Sequence, residues 1–176
     1  MLQTRLAKVT DLPALKVLMD AAIGELQTDF LAPEEVIASR GVMGIDTQLI
    51  RDGTYFLVEI DGQLAGCGGW SRRSTLYGGD HSTELRDDNL LDPKVDAARV
   101  RAMYTHPNFT RRGVGRAVLA ASEAAAKAEG FSRVELMATL SGEPLYRACG
   151  YVEIERVFSP PVNGVRVPLV RMGKPI

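Results

Sequence analysis

The sequence predicts a mixed α/β fold. Strand-like and helix-like segments alternate along the chain in the order β-α-α-β-β-β-α-β-α-β-β. Residues 55–70 hold two apolar runs around Asp61-Gly62, the pattern of a hairpin with a two-residue turn. Residues 98–139 read as strand, long helix, strand, a unit whose strands run parallel through a right-handed crossover. The length of 176 residues suits one domain, expected over 1–176, that buries roughly 70% of its unfolded surface.

Each element has a local reason. Leu2–Val9 alternates loosely and is expected as the first strand. Thr10-Asp11-Leu12-Pro13 offers an N-cap and a first-turn proline, and Leu15, Leu18, Met19 and Ala22 follow at helical spacing. Ala32-Pro33-Glu34-Glu35 opens a second helix, with acids at the positive end of its dipole. The hairpin then takes Tyr55–Ile60 and Gln63–Trp70. Ser71–Asp96 has Gly78-Gly79, scattered acids and no period, so it is expected as a long loop, a feature often functional in compact domains. Ala98–Thr105 is a strand stopped by His106-Pro107. Arg112–Glu129 is a helix with Val114, Val118, Ala121 and Ala125 on its apolar face, an i,i+4 pair Glu123–Lys127 on its wet face, and Gly130 at its end. Phe131–Thr139 is a strand, Glu143–Cys149 a short helix ended by Gly150, and Tyr151–Phe158 another strand. Asn163-Gly164 turns the chain into a last strand, Val165–Met172.

Composition removes several functions. Lys plus Arg number 21 against 22 Asp plus Glu, a net charge of -1, without the basic excess of a phosphate-gripping nucleic-acid domain. No apolar run reaches the roughly 18 residues of a membrane span, and Met1–Val9 has no signal-peptide core. No nucleic-acid or membrane partner is therefore expected, and the localisation expected is cytoplasmic. Cys67 and Cys149 read there as free thiols. His81 and His106 match no metal-ligand spacing, so no metal is expected.

The stretch most informative about chemistry is Pro107–Arg116, P-N-F-T-R-R-G-V-G-R, between a strand and a long helix. Two glycines let the backbone turn tightly and approach a ligand closely. A helix start supplies unpaired N–H groups and a positive dipole end, which together bind phosphate. Arg111, Arg112 and Arg116 add charge within reach of such a group. No Gly-Lys-Ser/Thr follows, which excludes a Walker A loop, and Val118 stands where the dinucleotide fingerprint needs its third glycine.

At this point the chain resembles the GNAT superfamily of acyl-CoA-dependent N-acetyltransferases. T-R-R-G-V-G at Thr110–Gly115 resembles the family's pyrophosphate loop, Q/R-x-x-G-x-G/A, with Thr110 in place of the usual first residue. R-V-R-A-M-Y-T-H-P looks like the family's fourth strand, whose backbone binds pantetheine. L-Y-R-A-C-G-Y at Leu145–Tyr151 is similar to F/L-Y-x-x-x-G-F/Y, whose first tyrosine, here Tyr146, sits next to the CoA sulfur in the family. Residues 55–70 resemble the family's second and third strands. Two departures stand out: Thr139 where many members carry Asn, and Arg99 where many carry a carboxylate.

The resemblance implies a GNAT-type fold, a mixed and mostly antiparallel sheet with a central parallel strand pair splayed to admit acyl-CoA, and helices on both faces. It implies an acetyl-CoA-dependent N-acetyltransferase acting by direct attack of a primary amine, with a small-molecule or peptide acceptor and a frequent homodimer. The cosubstrate would be held by Met103, Tyr104, Thr105, Arg111, Arg112, Gly113, Val114, Gly115, Arg116, Thr139 and Tyr146, with Tyr146 as general acid. A strand N–H near Met103 or Tyr104 would serve the oxyanion. The rival reading is a non-catalytic acyl-CoA sensor on the same fold. A lysine-like amine costs about 4.6 kcal/mol to neutralise at pH 7, so a general base is expected. The carboxylates on offer are Asp80, Glu84, Asp87, Asp88 and Glu135. Residues 80–96 carry six acids against two bases; this loop either overhangs the acceptor pocket, favouring a cationic amine, or is a solvated surface.

Overall fold

The computed structural model describes residues 1–176. Its strands are β1 (Leu2–Leu6), β2 (Tyr55–Ile60), β3 (Gln63–Ser71), β4 (Ala98–Thr105), β5 (Arg133–Thr139), β6 (Val152–Phe158) and β7 (Pro168–Pro175). Its helices are α1 (Leu12–Glu25), α2 (Pro33–Ser39), α3 (Thr47–Arg51), α4 (Val114–Ala128) and α5 (Glu143–Ala148). The strands form one sheet in the order β1-β2-β3-β4-β5-β7-β6. Every neighbouring pair is antiparallel except β4 and β5. These two pair only at Ala98 with Val134 and Arg99 with Glu135, and beyond that they part. The splayed parallel pair implied by the sequence is therefore present, as is the mixed α/β class.

The core is divided by the sheet. On one side α4 lays Val118 and Leu119 against the strands, with Val100, Val134 and Leu136 beneath. Gly68 of β3 is what admits α4 so closely: a Cβ there would stand 2.6 Å from the Val118 side chain and 2.6 Å from that of Met103. On the other side α1 packs Leu15, Leu18 and Met19 onto Leu57, Cys67 and Tyr104. No helix is long and apolar enough to cross a membrane.

The structure departs from the expected boundaries for local reasons. Strand β1 stops at Leu6 because Asp11 draws the chain into a 3₁₀ turn, accepting from the Lys8 N–H at 2.7 Å and pairing with Arg5 at 2.8 Å. Helix α4 begins at Val114 rather than Arg112, since Gly113 stands at φ 82°. Glu123 does not pair with Lys127; it meets Lys174 of β7 at 2.6 Å. The last strand begins at Pro168, because Val165 bridges back to Val162 and the Val167 N–H donates to Ser159 Oγ at 2.9 Å. Helix α3 is unanticipated, and so is the 3₁₀ turn Thr83–Leu85 inside the long loop.

Candidate active site

The glycine loop departs from ordinary backbone twice, at Arg111 (φ 59°) and Gly113 (φ 82°), before α4 starts. Its approach is fixed by a 3₁₀ turn at Pro107–Phe109, where the Asn108 N–H donates to His106 Nδ1 at 3.1 Å. His106 is thus a capping residue. None of the six N–H groups from Arg111 to Arg116 donates to an acceptor within the protein. They sit at the positive end of a 15-residue helix. Arg111, Arg112 and Arg116 are exposed and form no ion pair; the Arg112 guanidinium lies over the Phe109 ring, 5.4 Å from its centre. The arrangement is built to take an anion.

Beside the loop runs a groove of about 700 Å³, within the range of ligand sites. Met103, Tyr104, Thr105, Arg111, Gly113, Val114, Gly115, Arg116, Thr139 and Tyr146 all line it. Of the sequence-derived binding residues only Arg112 lies off its wall. The role of Gly115 is contact with α5: a Cβ there would stand 2.4 Å from Leu145 Cδ2. A glycine here lets the glycine loop and the tyrosine-bearing helix meet. Thr139 is committed locally, its Oγ1 accepting from the Gly142 N–H at 3.2 Å at the start of α5.

Strand β4 carries a bulge. Cys67 faces Tyr104 and Gly69 faces Arg101, so Ala102 and Met103 together oppose Gly68. Ala102 adopts φ 50°, and its carbonyl accepts from the buried Tyr55 hydroxyl at 2.7 Å. The Tyr104 hydroxyl accepts from the Gly44 N–H at 2.8 Å. Two buried phenols therefore hold the bulge where the strands splay. Cys67 lies under it, and burial pushes its thiol up to about 12, which makes it inert as a nucleophile.

A second, inner cavity of about 80 Å³ lies deeper in the splay, floored by Val100 and Leu136 and roofed by Leu76, Tyr77 and Gly78 of the long loop. Met43, Met103, Tyr104, Thr139 and Tyr146 line both cavities, so Tyr146 stands at their junction. Its ring rests over Gly142 and meets Tyr151 edge-on at 5.9 Å. Its hydroxyl has no partner within the protein, and burial pushes the phenol above its usual value, which keeps it protonated.

The carboxylates singled out in the sequence lie elsewhere. Asp80 takes the Thr47 N–H at 3.0 Å and the Thr47 hydroxyl at 2.8 Å, at the start of α3. Glu84, Asp87 and Asp88 are exposed, and Asp88 lies 3.8 Å from Arg86. Glu135 is held between Arg99 at 3.2 Å and Arg171 at 2.6 Å. None of them lines either cavity. The loop does overhang the inner cavity, but with Leu76–Gly78 and not with its acids.

What the sequence reading missed is the group that holds this loop. Asp46, fully buried, accepts from Arg101 of β4 at 2.7 Å and from Arg86 of the loop at 2.9 Å. Arg101 also donates to the carbonyls of Gly78 at 2.5 Å and Thr75 at 3.3 Å. Only one local signal pointed there: Asp46 before Thr47-Gln48 is an N-cap pattern, and its carboxylate does accept from the Gln48 N–H at 3.1 Å. Asp29 and Phe30, on the groove's outer rim, were also missed.

Comparison with known proteins agrees with this geometry. Residues 21–151 match the model of the acetyltransferase (GNAT) family. No curated protein matches the sequence at a significant level. Among solved structures, a GCN5-related N-acetyltransferase from Rhodopseudomonas palustris aligns with TM-score 0.71 at 19% identity, over 99% of this chain and 95% of that one. A ribosomal-protein-alanine N-acetyltransferase from Brucella melitensis aligns with TM-score 0.64 at 18% identity, over 99% of each chain. The paia N-acetyltransferase from Thermoplasma acidophilum, solved in complex with coenzyme A, aligns with TM-score 0.64 at 13% identity, over 100% of this chain and 99% of that one. At these identities the likeness is one of fold.

Proposed function

The chain belongs to the GNAT acetyltransferase family, and on that premise we propose that it transfers the acetyl group of acetyl-CoA to a primary amine by direct attack. The observation that carries this reading is the run of six unpartnered N–H groups at the start of α4, opening onto a groove that leads to Tyr146. We take residues 1–176 to be one catalytic domain working in the cytoplasm.

The residues fit acetyl-CoA. The N–H groups of Arg111–Arg116 would bind its pyrophosphate, with the free guanidinium groups of Arg111 and Arg116 at the rim. Met103, Tyr104 and Thr105 of β4 and Thr139 of β5 would flank its pantetheine arm in the splay. Acetyl-CoA supplies an activated acyl carbon: the amine nitrogen forms the C–N bond, the C–S bond breaks, and the thiolate leaves with its electron pair. The bulge at Ala102–Met103 would turn a backbone N–H of β4 toward the developing oxyanion. Tyr146, which lines both cavities, is the residue we assign to the leaving thiolate. A free thiol has a pKa of about 8.5 and a phenol about 10, so full proton transfer from an ordinary phenol is uphill by about 2 kcal/mol. Burial holds the Tyr146 phenol protonated, so its hydroxyl acts as a hydrogen-bond donor to the leaving thiolate. The amine's proton passes to solvent, and any proton that Tyr146 passes to sulfur is replaced from solvent.

Tyr146→Phe tests the assignment. It keeps the ring on Gly142 and removes only the hydroxyl. The expected result is a kcat lower by about tenfold or more, with acetyl-CoA affinity changed less than about threefold and a nearly constant Tm. Full kcat in a folded Phe variant would make Tyr146 a packing residue. Acetyl-CoA binding without CoA release on any amine would instead favour the sensor.

A further inference from the structure

The inner cavity differs from the outer groove in its chemistry. Its walls come from Val42 and Met43, Leu76 and Tyr77 of the loop, Val100 of β4, Leu136 and Met137 of β5, and Leu169 of β7. The one charged side chain on its wall is Arg101, and that guanidinium is already bound to Asp46 and to two backbone carbonyls. Around it Arg101 and Arg86 share the carboxylate of Asp46, and Arg99 and Arg171 share that of Glu135. The exposed Asp88 and Glu155 lie 3.8 Å from Arg86 and 3.6 Å from Arg171, so each of these carboxylates already faces an arginine. The remaining titratable neighbours are the phenols of Tyr77, Tyr104 and Tyr146. An ammonium ion carried into such a site meets apolar walls and, in Arg101, a like charge. It loses hydration and gains no counter-ion.

Building on the acetyltransferase reading, we infer that the inner cavity receives the acceptor's side group, and that the acceptor is a weakly basic amine on a compact aliphatic body. The size sets the second part. An apolar cavity of about 150 Å³ takes up benzene, and this one offers about 80 Å³, room for a short branched alkyl group. The charge sets the first part. The one carboxylate lining either cavity is Asp29, exposed on the outer groove, and Asp46 and Glu135 are each held by two arginines. With no base on the inner wall, the attacking nitrogen must be neutral by its own chemistry. An amine of pKa about 7.8 is neutral roughly 10² to 10³ times more often at pH 7 than one of pKa about 10.4. Lysine side chains and polyamines are the acceptors this site rejects.

The test compares leucinamide with 3-methylbutylamine, which carry the same branched group on a weakly and a strongly basic nitrogen. Nα-acetyl-lysinamide serves as the polar, strongly basic third probe. CoA release is followed with acetyl-CoA and the wild-type protein. At pH 7 the kcat/KM for leucinamide should exceed that for 3-methylbutylamine by at least 10²-fold. The leucinamide profile should level near pH 8, while that of 3-methylbutylamine keeps rising about tenfold per pH unit. Profiles that level at one shared pH below 8 would reveal an enzyme base and overturn the inference. Turnover of Nα-acetyl-lysinamide as fast as leucinamide would overturn it too, while leaving acetyl transfer intact. No CoA release from any amine would overturn the acetyltransferase reading and this inference with it. Leu76→Asp against Leu76→Asn then places the pocket, since the pair differs only in charge on a half-buried loop position. The 3-methylbutylamine to leucinamide ratio should be at least threefold higher in the Asp protein, and equal ratios would overturn the placement.

Discussion

Thr110–Gly115 and Ser71–Asp96 are both glycine-containing, charged segments beside the cleft, yet they are held in place by different physics. The first is shaped by its own backbone: Arg111 and Gly113 at positive φ, a 3₁₀ turn before it, a helix after it, and arginines free of partners. The second is shaped by distant side chains, above all Arg101 and Asp46, which are 55 positions apart in the chain. A segment of the first kind exposes its charge to a ligand. A segment of the second kind spends its charge on structure and presents its apolar residues instead.

Breaking the distant contact should have the largest effect. Asp46→Ala leaves Arg101 buried without its carboxylate. Removing one partner of a buried pair costs about 3–5 kcal/mol. The expected Tm drop is on the order of 10 °C, read by calorimetry against Asp88→Ala, whose ion pair is long and exposed. A Tm within a degree or two of the wild type would mean that the loop is held some other way.

Gly115→Val acts on the other segment. The new side chain meets Leu145 and, through it, the helix of Tyr146. Acetyl-CoA affinity should fall at least tenfold, about 1.4 kcal/mol, by titration calorimetry. Adding Leu145→Ala should return part of it if the clash is the cause. Unchanged affinity in the single variant would remove the loop as anchor.

Arg116→Ala should matter less. As an exposed charge without an ion-pair partner, it contributes about two- to fivefold in affinity at low salt. The difference should shrink as salt shortens the screening length. A loss independent of salt would point to a direct, desolvated contact.

The smallest effect is expected from Asp87→Asn with Asp88→Asn. Both side chains are exposed and off the cavity walls, so acceptor and acetyl-CoA KM should each stay within about twofold. A raised acceptor KM would restore the acidic loop as an electrostatic guide and erase the contrast between the two segments.

The same contrast explains what could be read in the chain beforehand. Gly113, Gly115, the Asp61-Gly62 turn and the β4-α4-β5 crossover depend on neighbours in sequence, and all were legible. Helix α3 was not, because five residues give too little periodicity and only the Asp46 cap marks it. The partner of Glu123 was misread for a related reason. Lys127 is its neighbour on the helix surface, but Lys174 arrives from β7, where no helical spacing can announce it. The carboxylates proposed as bases were judged by type and position alone. Arg99, Arg171 and Thr47, which occupy Glu135 and Asp80, are invisible at that level.

The short β4–β5 pairing also bears on motion. Across the sheet the backbone ladder is continuous from β1 to β4 and from β5 to β6, but the two halves are stitched at only Ala98–Val134 and Arg99–Glu135. A change in the width of the cleft between Met103 and Thr139 would disturb at most these two pairings and leave every antiparallel ladder intact. What joins the halves is then packing across the seam, where Val100 and Leu119 share one core with Val134 and Leu136, together with Glu135, which grips Arg99 from one half and Arg171 from its own. A charge triad at the foot of the splay thereby clamps the two halves where their backbone pairing ends, with Arg99 supplying the link from β4.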